Sequence, residues 1–237
     1  VELIAGFGKQ LTAQVRPADD PNLALTWTSS DETVVQVDET GMCTGIAPGT
    51  AVITASAGGG AYSAQCQVTV LENSAPHYED VPESAWYYEA VQYTSAHGLF
   101  QGMTETKFGP NLTMTRGMLA TVLYRMAGSP QVTIDNPFTD VPAGQWYTNG
   151  AIWCYEKRIL ANMDSTTMDP NALVTRQELA YMLYQYSGAP EEPSSALTDF
   201  SDSASVSDWA QDAMKYCVGL GVLQGSEGKL NPQNSVT

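Results

Sequence analysis

Pro110-Asn111-Leu112-Thr113-Met114-Thr115-Arg116-Gly117-Met118-Leu119 returns sixty residues later as Pro170-Asn171-Ala172-Leu173-Val174-Thr175-Arg176-Gln177-Glu178-Leu179. The same offset joins Asp80-Val81-Pro82 to Asp140-Val141-Pro142 and Trp86-Tyr87 to Trp146-Tyr147. One offset held across a whole unit marks an internal repeat. A third copy begins at Thr198-Asp199, with a few extra residues before Trp209. It runs through Ala213, Met214, Tyr216, Gly221, Val222, Leu223 and Gly225, matching Ala90, Val91, Tyr93, Gly98, Leu99, Phe100 and Gly102. It then passes Asn231-Pro232 and reaches Thr237, the counterpart of Thr115. A third copy without its second helix leaves an apolar face, so fraying or self-association through this repeat is expected.

Each full copy reads as helix, loop, helix. In copy one, Trp86, Ala90, Val91 and Thr94 form a stripe at helical spacing. Leu99 to Leu112 carries glycines and a proline and reads as a loop. Thr115 to Ala127 is a second amphipathic helix, with Met118, Leu119, Val122, Leu123 and Met126 expected on its buried face and Gly128 and Pro130 ending it. Pro190 to Ser195 reads as a linker before copy three.

Before about residue 83 the period changes. Leu23, Leu25 and Trp27 share one face of a strand, as do Val35 and Val37, Val52 and Thr54, and Val68 and Val70. Turn signals lie between them: Asp19-Asp20-Pro21, Ser29-Ser30-Asp31, Glu39-Thr40-Gly41, Ala47-Pro48-Gly49 and Gly58-Gly59-Gly60. Short strands with turns this frequent predict an all-β sandwich. The chain is therefore expected to be multidomain: a sandwich over 1–72, then repeats over 73–129, 130–189 and 190–237.

Composition narrows the function. The chain has 237 residues and is 43% hydrophobic, enough for two cores. Its formal charge is −16, which disfavours nucleic acid and anionic lipid, since both are held by clustered basic residues. No apolar run is long enough to span a membrane, so no membrane insertion is expected. Val1-Glu2-Leu3-Ile4 lacks the features of a signal peptide and reads as a cut from a longer chain. Cys43, Cys66, Cys154 and Cys217 form no CxxC, so the spacing gives no metal site or redox pair. No nucleophile elbow, P-loop, HExxH or dinucleotide fingerprint occurs, and the two histidines are isolated, so no catalysis and no cofactor are expected. Asp199, Asp202 and Asp208 lack the glycine and terminal glutamate of an EF-hand loop.

Two resemblances follow. Leu25-Thr26-Trp27-Thr28-Ser29-Ser30-Asp31, Gly41, Thr44-Gly45, Gly49-Thr50-Ala51 and Val68-Thr69-Val70 resemble the bacterial Ig-like group 2 family, whose members are spacer or adhesion modules on extracellular proteins. The repeat, from Asp-Val-Pro and Trp-Tyr to Thr-Arg and Leu-Tyr-Arg, resembles the S-layer homology domain. The resemblance implies helical copies in a pseudo-threefold bundle, with grooves between copies that bind anionic cell-wall polysaccharide, often pyruvylated. It places the chain at the cell surface. The family's binding tetrapeptide, Thr-Arg-Ala-Glu, stands here as Thr115-Arg116-Gly117-Met118 and Thr175-Arg176-Gln177-Glu178, so copy one lacks the glutamate.

Thr175 and Glu178 also make a capping box, sufficient by itself to explain both residues. Arg116 and Arg176 are harder to explain, because a cation in the first turn faces the positive end of the helix dipole. Their compensating anion is either an internal carboxylate, such as Asp80 or Asp140, or a ligand carboxylate gripped by the guanidinium. Trp86, Trp146 and Trp209 are either sugar platforms or core, with core the commoner fate of tryptophan, while Tyr87 and Tyr147 are expected to be exposed. Gly102 and Gly225 match the family's loop glycine, where backbone approaches sugar; the second copy has Asn162, and the plain alternative is a left-handed turn. A Cys43–Cys66 disulfide and two separate thiols both stand as readings, as does an approach of Cys154 to Cys217 across the bundle axis. Two other functions stay open: a protein–protein adhesion module, or an accessory region of a larger surface enzyme.

Overall fold

The computed structural model describes residues 1–15, 24–160, 166–191 and 195–237. Asp19-Asp20-Pro21, Leu23, Asn162 and Glu192 to Ser194 of the expected linker lie outside the described residues. The chain divides into two compact units, Val1–Phe108 and Gly109–Thr237.

The first unit opens with a β-sandwich. Its strands are β1 (Glu2–Ile4), β2 (Gly8–Gln10), β3 (Thr26–Ser29), β4 (Val35–Val37), β5 (Met42–Gly45), β6 (Gly49–Ala57) and β7 (Tyr62–Leu71). One sheet has the order β1-β7-β6-β3 and the other β2-β5-β4. β6 and β7 form the long hairpin, registered from Gly49 opposite Val70 to Ala57 opposite Tyr62. Alternation on β6 sends Ala51, Ile53, Ala55 and Ala57 inward, so Val52 and Thr54 take the other, partly covered face. Leu3, Val35, Cys43, Val68 and Val70 complete the core, and each fully buried aliphatic side chain stabilises it by about 1.5–3 kcal/mol. Gly41 is required: its φ is +87°, and a Cβ there would lie 2.8 Å from the Trp27 ring.

All four cysteines are free thiols. Cys154 and Cys217 do not converge; their S–H groups point to the carbonyls of Ala120 and Ala180, at 3.8 and 3.6 Å.

The first helix of copy one, α1 (Tyr88–Ala96), belongs to the first unit. Val91 packs with Tyr78 and Val81 under Tyr87, Tyr88 and Phe108. The expected stripe is shifted, because the helix begins at Tyr88 and leaves Trp86 in the turn before it.

The second unit contains α2 (Arg116–Met126), α3 (Thr148–Glu156), α4 (Arg176–Tyr186) and α5 (Gln211–Gly219). α3 packs on α2 and α5 on α4, the first helix of each copy against the second helix of the one before. Leu119, Val122 and Leu123 of α2 are buried as expected; Met126, in the last turn, is exposed. The extended residues before each second helix close a threefold ring. Val174 N–H donates to Met114 C=O at 2.9 Å, Val236 N–H to Val174 C=O at 3.0 Å, and Met114 N–H to Val236 C=O at 2.9 Å. Three equivalent residues, one per copy, thus satisfy one another around a pseudo-threefold axis. Leu230 and Val236 are buried, so the third copy is anchored rather than frayed.

Candidate functional site

Where the copies meet, the start of one second helix lies against the loop of the next copy. Arg116 and Gly117 N–H donate to the carbonyls of Ala172 and Pro170 at 2.9 Å each, and Arg176 and Gln177 N–H to those of Asn234 and Pro232 at 2.9 and 3.0 Å. The helix N–H groups that lack intrahelical partners are thus met by backbone from the neighbouring copy. Thr115 and Thr175 are the N-caps. At Thr175 the capping box forms in full: Thr175 N–H donates to Glu178 Oε2 at 2.8 Å, and Glu178 N–H to Thr175 Oγ1 at 3.3 Å.

This geometry presents the two arginines differently. Arg116 Nε and Nη2 donate to Glu178 Oε1 at 3.2 and 2.6 Å. Its Nη1 donates to the Met168 carbonyl at 3.3 Å and lies 3.9 Å from the Asp169 carboxylate. Burial pushes the Glu178 carboxyl up, but hydrogen bonds from Thr175 and Arg116 outweigh this and hold it below its usual value. Arg116, Glu178, Met168, Asp169, Leu160 and Met182 border a small cleft between copies one and two. Arg176 instead donates from Nε to Leu230 C=O at 2.7 Å and from Nη2 to Gln224 C=O at 2.8 Å. Among the described residues no carboxylate pairs with it.

The expected internal anions do other work. Asp140 accepts from the N–H groups of Met168 and Asp169 at 2.9 and 2.7 Å, and Asp80 from Phe108 N–H at 2.8 Å. The internal carboxylate on Arg116 is Glu178, because the box glutamate of copy two projects into the junction with copy one. Asp202 is the third member of the aspartate set, accepting from Leu230 and Asn231 N–H at 2.7 Å each. The visible signal for it was Asn231-Pro232, which follows Asp202 as Asp169-Pro170 follows Asp140; Thr198-Asp199 is not the equivalent pair.

Gly102 and Gly225 do not adopt a left-handed backbone. A Cβ at Gly102 would fall under 3 Å from the Tyr78 ring, and one at Gly225 would collide with the Phe200 ring. Close approach of the copy's own aromatic side chain demands glycine there.

The tryptophans are outside and the neighbouring tyrosines inside, the reverse of expectation. Trp86, Trp146 and Trp209 are 93%, 58% and 45% exposed, whereas Tyr87 and Tyr147 are partly buried against core clusters. Trp86 and Trp146 each sit edge-on to the following tyrosine, with ring centroids 5.5 and 5.0 Å apart. In copy three Ala210 follows Trp209, and Tyr181 of α4 supplies the edge instead, at 5.5 Å.

The architecture is a β-sandwich followed by three copies joined through a pseudo-threefold ring. The S-layer homology domain matches residues 77–117, 137–180 and 199–237, and the bacterial Ig-like domain (group 2) matches residues 1–68. The chain belongs to the S-layer homology family. It is 30% identical over 155 residues to an amylopullulanase of Thermoanaerobacterium thermosulfurigenes, a match covering 62% of this chain and 8% of that protein. It is 32% identical over 158 residues to the surface-layer 125 kDa protein of Lysinibacillus sphaericus, covering 65% and 13%. It is 25% identical over 161 residues to the S-layer protein sap of Bacillus anthracis, covering 68% and 20%. The chain thus spans a fifth or less of each of these relatives. Its domains are of anchoring type, and it is an extracellular, wall-associated segment. No described helix is long and apolar enough to cross a membrane.

Proposed function

We propose that the chain retains its parent protein on the cell wall by binding an anionic, pyruvylated secondary wall polysaccharide at the junctions between copies. The Ig-like domain serves as spacer or adhesion module. The observation carrying this reading is Arg176, a cation in a chain of net charge −16 that is held by two backbone carbonyls and paired with no carboxylate among the described residues. Its guanidinium is oriented by those bonds, with N–H donors left for a ligand carboxylate. Arg116 is the secondary clamp. Glu178 takes its Nε and one Nη2 hydrogen, so a ligand there meets a partly neutralised cation. Asp80, Asp140, Gly102 and Gly225 shape the loops, and the exposed Trp86 and Trp209 offer ring faces to sugar.

Calorimetric titration with polysaccharide fragments, before and after mild acid removal of the ketal, tests this. Arg176→Ala and ketal removal should each weaken binding about tenfold, and in combination little more than either alone, as for two partners in one contact. Independent, additive losses would reject the contact. A second reading, an accessory region of a larger surface enzyme, is favoured by the amylopullulanase and by exoglucanase XynX of Acetivibrio thermocellus among the relatives. It concerns what is anchored and leaves the anchoring mechanism unchanged.

A further inference from the structure

At the far end of α2 from Arg116 lies a cavity of about 350 Å³, lined by Thr121, Tyr124, Arg125, Ser129, Gly144, Gln145, Trp146, Thr148 and Asn149. It shares no residue with the Arg116–Glu178 cleft. Arg116 and Arg125 are nine residues apart on one helix, about 13 Å of axial rise. The size falls at the low end of small-molecule sites, roughly room for one or two sugar rings.

Comparison of the junctions shows why it is open. Thr121 and Trp146 of the first junction correspond to Tyr181 and Trp209 of the second. At the second, Tyr181 packs edge-on against Trp209, with ring centroids 5.5 Å apart. At the first, Trp146 takes its edge contact from Tyr147, and Thr121 is small and turned back, its hydroxyl donating to Gly117 C=O at 2.7 Å. The space beside Trp146 is therefore left unfilled by an exchange of side chains between copies.

The lining has a consistent chemistry. Trp146 is more than half exposed, and its electron-rich faces attract the weakly positive C–H groups on the flat side of a pyranose. The exposed amides of Gln145 and Asn149 have no side-chain hydrogen bond among the described residues. Each can both donate and accept, which suits sugar hydroxyls. No carboxylate lines the cavity, and Arg125 is its one charged group among the described residues.

We infer that this cavity is a second glycan site, taking an uncharged sugar ring on Trp146 with its hydroxyls bridged by Gln145 and Asn149. It is separate from the arginine junctions and does not require a ligand carboxylate. The probes are cellotriose and triacetylchitotriose, titrated to 10 mM into the ¹⁵N-labelled chain. The Trp146 indole N–H and the Gln145 and Asn149 side-chain amides should shift saturably with at least one probe. Trp146→Ala, and Thr121→Tyr, which copies the second junction, should each weaken that binding by about tenfold or more. Thr121 is buried, so the surface pair Gln145→Ala/Asn149→Ala serves as the variant that does not disturb packing, with the same expected loss. Arg176→Ala should leave it unchanged, which separates this site from the wall-polysaccharide reading. Absence of saturable shifts with both probes, or equal binding in the surface pair, would overturn the assignment.

Discussion

Glu178 joins two copies with one carboxylate: Oε2 completes the cap on Thr175 while Oε1 receives Arg116. Thr175→Ala removes the cap alone and should cost about 1 kcal/mol, read from the urea midpoint. Glu178→Gln should cost more, because the partly buried Arg116 then loses its close charge partner and keeps only the exposed Asp169 carboxylate at 3.9 Å. The Glu178 carboxyl is held below its unfolded value, so its contribution is present above that value and fades as pH falls through the lower folded one. Acid should therefore destabilise wild type more steeply than Glu178→Gln below about pH 4, measured as urea midpoint against pH. Gly225→Ala should cost about 1–3 kcal/mol through overlap with Phe200. Its sequence context suggested a left-handed turn, and only the packing of an aromatic ring 25 residues earlier reveals the actual constraint.

Among the elements, local periodicity was enough to read both amphipathic second helices and the change from β to α near residue 83, and the capping-box spacing gave the cap at Thr175. The first helices were less legible. Trp86 and Trp146 fit a helical stripe by spacing alone, but the helices start two residues later, at Tyr88 and Thr148, which turns the tryptophans outward. The pairing of copies depends on exchanges between distant residues. Gly117 faces Tyr147 across the first junction, where a Cβ would lie 3.3 Å from the ring, while Gln177 of the second junction bonds Ser207 beside the smaller Ala210. No single segment contains such information. The closing ring of Met114, Val174 and Val236 is of the same kind. Deleting residues 234–237 should open it and lower the stability of the second unit while leaving the sandwich intact, seen as loss of amide protection at Met114 and Arg176, whose acceptors are Val236 and Asn234, with Val68 and Val70 unchanged.

For the whole molecule, a chain of charge −16 approaching an anionic polymer is repelled at long range and attracted only where a guanidinium meets a carboxylate. Added salt should therefore speed association, by screening the repulsion over a Debye length of about 8 Å at physiological ionic strength, as measured by surface-immobilised polysaccharide kinetics. Legibility at this scale was high for architecture and class, because the sixty-residue offset and the alternating first half are global patterns. It was low for the arginines' partners, which come from other copies. The most direct measurement is co-sedimentation with purified cell walls, intact and after removal of pyruvate, for wild type and Arg116→Ala/Arg176→Ala. Wild type should pellet with intact walls alone, and the double variant should stay in solution with both. A double variant that pellets like wild type, or wild type that pellets equally with depyruvylated walls, would contradict anchoring through the arginine junctions.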